Sequence, residues 1–372
     1  MATLLHQLLY DVRQRCNFLA NTLDGLKPTL AKEALPYREQ MAQRVARIQA
    51  HVESMLIDPA LQDPNLARNY YYDYKRIAEL SQDIEAFPVL ALSRFGEEDR
   101  IMTTILDRLC KEVGYPYRSP LCSTISSTYY WAVSSMDLVF VPCSEPFHLL
   151  ALSDLYHELA HFIMAREEKR IVPTLKNEID RQFDILRDEA KQRGVPSGTL
   201  SQIENARRQW KRNWYLELSC DMIAAFWVGP AFGWSNVRLC ANASAGLFDG
   251  MDSHPADESR ASGISLMLRK IGCAKEADDI DSYWTELVGL SGELRPQEFE
   301  LVYPPKLLNT LVEEIMKTAQ DLGLVCWKDQ VDDGSIRVTT LLNQAWNSFR
   351  NAPATFAEYE TEQIARLRGS AN

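Results

Sequence analysis

Within its 372 residues this chain has no C-x-x-C pair, no basic block, no charge-free apolar stretch of about 18 residues and no internal repeat. Each absence removes a class of function. The eight cysteines (16, 110, 122, 143, 220, 240, 273 and 326) are scattered, which argues against a zinc ribbon or a disulfide scaffold and suits reduced thiols in a cytoplasmic protein. A net charge of −11 without a cationic patch argues against nucleic acid, whose binding rests on neutralising phosphates, and against an anionic membrane surface. The most apolar window, Phe147 to Met164, still carries Asp154, Glu158 and three histidines, so no membrane span is expected. The first 23 residues lack an apolar core of the secretory kind, having Asp11, Arg13 and Arg15 within an amphipathic pattern. Hydrophobic content of 46% and charged content of 24% are those of an ordinary globular protein, not a disordered or fibrous one.

What is present is helix-forming sequence. Apolar residues recur at helical spacing through Leu4–Leu23, Met41–Ile57 and Tyr70–Phe87, and Ile101, Ile105, Leu109 and Val113 form one stripe. Breaks fall at Lys27-Pro28, Asp63-Pro64 and Phe87-Pro88. The Tyr70-Tyr71-Tyr72 run with Tyr74 reads as rings packed between helices. From Ser119 to Cys143 the texture becomes β-branched and aromatic, predicting two adjacent strands, 124–131 and 136–141, turned at Ser134-Ser135. The second is either an edge with which an extended substrate could pair or an ordinary interior strand. Helices are then expected at about 147–168, 175–193, 199–228, 256–272, 276–290, 304–322 and 355–367, with a turn at Asp332-Asp333-Gly334. The expected fold is mainly α (α+β) with a small antiparallel sheet. Its regions are a helical 1–115, a core at 116–275 and a helical 276–372.

Histidine is the scarcest of the chemically useful residues, six in all, and two of the six stand in His157-Glu158-Leu159-Ala160-His161. Residues four apart on a helix lie about 40° apart around the axis and about 6 Å along it, so two imidazoles can converge on one ion. Glu158 would then reach water on the metal rather than the metal itself. The alternative is a polar coincidence on a core helix. A catalytic zinc needs a third protein ligand. The segment Trp214–Val228 is apolar all round except for Glu217 and Asp221, and buried carboxylates demand a cation or hydrogen-bond donors. Glu217 as a ligand, with Asp221 accepting from a ligand histidine's second N–H, meets that demand; an ion pair with Arg or Lys from another helix would as well. Cys220 between them reads as a core thiol, or alternatively as a redox-sensitive thiol beside zinc. His254-Pro255, ahead of a helix containing Arg260, is by itself no more than a cap or surface histidine.

In order and spacing, the three segments resemble the M48-type gluzincin metallopeptidases over roughly residues 130–272: H-E-x-x-H at 157–161, E-x-x-x-D at 217–221 and H-P-x-x-x-x-R at 254–260. The resemblance implies a zincin-like core holding one Zn2+ per chain through His157, His161 and Glu217. It implies Glu158 as general base toward a zinc-activated water, and His254, oriented by Arg260, beside the scissile carbonyl. The expected activity is hydrolysis of peptide bonds in a peptide or protein substrate. Two other readings remain: a helical interaction or regulatory protein with a structural or vestigial zinc site, and a zinc hydrolase of a non-peptide amide. Oligomeric state is not legible.

Overall fold

The computed structural model describes residues 2–63, 66–127, 129–143, 147–242, 246–330 and 337–369. Pro64, Thr128, Pro146 and the Asp332-Asp333-Gly334 turn lie outside them. The protein is mainly helical with one small sheet. It divides into two compact units: Met1–Thr104 with Pro120–Ser144, and Ile105–Ser119 with Glu145–Asn372. The strands thus group with the N-terminal helices, and the C-terminal helices with those bearing the histidine motif.

In the first unit, helices Ala2–Leu26 and Leu35–Ile57 pack together. Leu5, Leu9, Val12, Cys16, Leu19 and Leu23 are spaced three or four apart, and so are Tyr37, Met41, Val45, Ile48, Val52 and Met55. That spacing keeps one apolar stripe per helix facing the other. Pro88 does not end its helix as expected. It sits in a π-helical turn, Glu85–Val89, through which the Ala67–Ile84 helix continues to Ser93. A wider turn absorbs the hydrogen bond that proline cannot donate. The tyrosine run is only partly core: Tyr71 and Tyr72 are exposed, Tyr71 stacks on Tyr74 at 6.0 Å, and the Tyr70 hydroxyl donates to Asp58 at 2.5 Å.

Three strands form where two were expected: β1 (Leu121–Ser126), β2 (Trp131–Val133) and β3 (Leu138–Pro142). Their order is β1-β3-β2, with β1 parallel and β2 antiparallel to β3, so the sheet is mixed and not antiparallel. The Ser134-Ser135 turn is present as a short 3-10 segment ending at Asp137, whose φ of 53° is left-handed. Gln40 Nε2 holds its carboxylate at 2.6 Å. Strand β3 is buried along its whole length and paired on both sides, which ends the reading of 136–141 as a substrate-pairing edge.

In the second unit, Asp154–Arg166 packs against Tyr215–Val228, and Asp257–Lys270 packs on the latter. The Tyr215–Val228 helix is buried at every position but Leu216, as its all-round apolar sequence requires. It ends at Gly229, φ 70°, where a Cβ would lie 2.7 Å from the Trp327 ring; Pro230 then opens the next helix. That helix, Pro230–Ala241, and another at Val338–Asn351 are not among those the sequence predicts. Among the described residues no helix is long and apolar enough to cross a membrane. All eight cysteines are unpaired and seven are buried.

Candidate metal centre

The His157–His161 pair lies on the buried helix Asp154–Arg166, one turn apart, so both imidazoles face the Tyr215–Val228 helix. Their Nε2 atoms are 3.1 Å apart. From the facing helix Glu217 presents Oε2 at 3.3 Å from His157 Nε2 and Oε1 at 3.9 Å from His161 Nε2. A tetrahedral ion with bonds of about 2.1 Å spaces its ligand atoms about 3.4 Å apart. With one ligand atom per residue, the three donors lie within 4.8 Å of one another, somewhat wider than such a site but close enough to converge on one ion. Glu217 Oε2 is buried and has no hydrogen-bond partner, an orphaned acceptor of the kind a cation satisfies. Among the described residues, no Lys or Arg pairs with Glu217, which removes the ion-pair alternative for that residue. His157, His161 and Glu217 are a buried set of donors that could hold a metal ion.

For Asp221 the ion-pair alternative and the supporting role are both true. Arg260 reaches it with two bonds, Nε to Oδ2 and Nη2 to Oδ1, each 2.8 Å. Its Oδ1 is also 2.8 Å from His157 Nδ1. An N–H donated from Nδ1 to this carboxylate leaves the Nε2 lone pair directed at the gap between the ligands. His161 has a softer support, since its Nδ1 lies 3.5 Å from the buried Cys220 Sγ.

The electrostatics follow from this packing. Burial works against charge on His157, but the acceptor carboxylate of Asp221 and the nearby carboxylate of Glu217 outweigh it and push the imidazole up to about 10. Burial and the His157 charge pull His161 down to about 4. Burial opposes ionisation of Glu217, yet its contacts with His157 hold it down at about 2. Burial likewise fails to protonate Asp221, which the Arg260 guanidinium keeps well below the usual carboxylate range. A proton on His157 and a divalent cation would thus compete for the same acceptors, and a metal bound there would displace that proton.

Glu158 is buried beside this cluster, and its carboxylate has no hydrogen-bond or ion-pair partner among the described residues. Burial, against the pull of His157 and with the push of Glu217, raises it to about 7. His254 comes from the segment before the Asp257–Lys270 helix. Its side chain is 45% exposed, its Nε2 is 3.6 Å from Glu217 Oε2, and its Nδ1 is 2.8 Å from Ser253 Oγ. It stands at the edge of the cluster and is not one of the three gathered donors.

All seven residues singled out in the sequence are thus brought to one place from three segments. Sequence reasoning missed the residues that hold them. Phe232 stacks on His157, with centroids 6.4 Å apart and planes at 13°, and comes from the unforeseen Pro230–Ala241 helix. The segment carrying His254 is fixed by Trp214 Nε1 donating to the Met251 carbonyl and by the Tyr303 hydroxyl accepting from Ala256 N–H, at 2.8 and 2.9 Å. A Trp one turn before Glu217 was the one available signal. No known family, no curated protein and no solved structure matches the chain.

Proposed function

We propose that the protein is a zinc-dependent metallopeptidase of the gluzincin kind, zincin-like around its metal centre. The observation that carries this is a buried Glu158 without a hydrogen-bond or ion-pair partner among the described residues, beside three converging donors of which one oxygen is orphaned. A His2Glu set suits zinc, borderline in softness and content with mixed N and O donors. Three ligands leave a position open, whereas structural zinc sites are closed by four. When bound, zinc supplies Lewis acidity toward a carbonyl oxygen and acidifies water.

The chain's own residues supply the remainder. Glu158, raised toward neutrality, takes a proton from the attacking water and returns it to the leaving amine. His254 Nδ1 lies 2.8 Å from Ser253 Oγ; with the hydroxyl as donor, His254 would carry its proton on Nε2, available to the oxyanion that develops on the carbonyl. Asp221 and Arg260 hold His157 in the tautomer that ligates. Eight unpaired thiols favour a reducing, cytoplasmic setting.

Metal analysis of wild type and Glu158→Gln, alongside digestion of a degenerate peptide library, tests the reading. The expected result is about one zinc per chain in both proteins, with cleavage about 10²–10⁴-fold lower in the variant. Zinc without Glu158-dependent cleavage would favour an interaction protein with a structural site. Absence of zinc from both would end both readings.

A further inference from the structure

A cavity of about 340 Å³ opens in the second unit, one helical turn before Glu217 along the same helical run. Its volume is at the low end of the roughly 300–1,000 Å³ typical of small-ligand sites, enough for one or two side chains. The inner wall is aromatic. Trp214 and Tyr303 stack at 4.9 Å, Phe299 lies 4.8 Å from Tyr303, and Phe248 meets Phe299 edge-on at 5.8 Å, all four being buried. The rim is acidic and exposed, formed by Asp249, Asp252 and Glu298. Among the described residues, no Lys, Arg or His lines the cavity.

Two details indicate what this surface accepts. Gln209 Nε2 donates to Asp252 Oδ1 at 2.8 Å, while its Oε1 is buried without a partner, an acceptor awaiting a donor. Gly250 lies so close to the rings that a Cβ would collide with the Tyr303 hydroxyl and come within 2.8 Å of Trp214, so only glycine keeps the wall open. Aromatic faces attract cations, carboxylates at a rim pair with them, and an orphaned amide oxygen accepts their N–H groups. The outer neighbour Arg295 already places its guanidinium 4.9 Å from the Phe299 ring centroid while pairing with Glu300.

We propose that this cavity takes the side chain of an arginine or lysine in the peptide substrate, and so makes a basic residue the specificity determinant. The inference rests on the peptidase reading for the word substrate, but not for the binding itself. Met251 and Asp252 line the cavity, and His254 follows two residues later in the same segment. A peptide reaching from the metal centre therefore has its next side chains over this opening. The aliphatic stem of Arg or Lys would lie on the rings, with its charged head among the carboxylates.

The test uses two peptides identical but for one arginine replaced by norleucine. Their binding to zinc-loaded Glu158→Gln is followed by tryptophan fluorescence and calorimetry, and their turnover is measured with wild type. The arginine peptide should bind at least tenfold more tightly. Combining Asp249→Asn, Asp252→Asn and Glu298→Gln in the same background should bring the two affinities within twofold. Equal affinities in the starting protein, binding of neither peptide, or a preference that survives the triple change would overturn the proposal. Cleavage without preference would leave the peptidase reading intact and remove this one. Binding preference without any cleavage by wild type would keep the basic-residue cavity and remove the peptidase reading.

Discussion

Two buried glutamate-like acids, one in each compact unit, show how differently the same chemical group can be used. Asp99 begins the Glu97–Glu112 helix and is fully answered: it accepts from Gly96 N–H at 2.7 Å, from Thr124 N–H at 2.5 Å and from the Thr124 hydroxyl at 2.9 Å. Glu217 begins the Tyr215–Val228 helix and is also buried, yet its Oε2 has no hydrogen-bond donor among the described residues and lies 3.3 Å from His157 Nε2 and 3.6 Å from His254 Nε2. Burying a carboxylate is unfavourable unless its lone pairs are satisfied. The first acid is satisfied by the fold and ties a helix to strand β1. The second keeps one oxygen without a donor among the described residues, and on our proposal a metal ion completes it.

The comparison is broken most directly at Glu217. Glu217→Ala should abolish stoichiometric zinc and with it all turnover, because two imidazoles alone hold the ion too weakly. Metal analysis after dialysis reads this, with circular dichroism to establish that the helices persist. Full retention of zinc would remove Glu217 from the ligand set and turn attention to His254.

At His254 the expected effect is smaller and of another kind. His254→Ala should keep its zinc and lower kcat by about 10²–10³, the usual result of removing one oxyanion donor. Its place, near Glu217 Oε2 but outside the gathered donors, is the reason. Loss of metal would make it a ligand; unchanged turnover would make it a surface histidine.

What was legible in the sequence divides along the same line. The gathering of these side chains could be read because His157/His161 and Glu217/Asp221 are each four apart on helices, a spacing that alone fixes which side chains share a face. The sheet could not. Whether β3 is flanked on one side or two depends on β1 and β2 choosing it from opposite edges, and no local pattern records that choice. The missed helices have distant causes as well. Val338–Asn351 begins with three β-branched residues, and its first N–H groups are answered by Glu112, 226 residues earlier. Pro230–Ala241 opens with Pro-Ala-Phe-Gly, which reads as a turn. Its Ala231 N–H is accepted by Asn343 from that same late helix. His157's aromatic neighbour Phe232 was hidden for this reason.

Asp221 lies between the two extremes, satisfied like Asp99 but engaged in the site like Glu217. Asp221→Ala should weaken zinc binding about 10–100-fold, since it orients His157 without touching the ion. It should also destabilise the fold by about 3–5 kcal/mol, because Arg260 is left buried without its carboxylate. Competition with a chelator measures the first effect and denaturant unfolding the second. A variant that lost stability but bound zinc normally would reduce Asp221 to an ion-pair partner of Arg260.

Asp99 supplies the control and the smallest effect. Asp99→Ala removes three acceptor contacts at once. A typical net hydrogen bond contributes about 0.5–1.5 kcal/mol, and the Thr124 N–H is left without its acceptor in a part-buried place. The Gly96 N–H, at the helix start, loses the side-chain acceptor that a residue three positions on commonly supplies there. Partial access of water to both groups keeps the total below the sum of isolated penalties, so a loss of about 2–3 kcal/mol is expected. In a unit of this size that lowers Tm by about 4–12 °C. Zinc content and the kinetics of peptide cleavage should not change below the unfolding transition, because every contact Asp99 makes is already closed within its own unit. A change in metal affinity on this substitution would contradict the division between the two acids. It would mean that satisfied burial in the first unit also sets the geometry of the centre in the second.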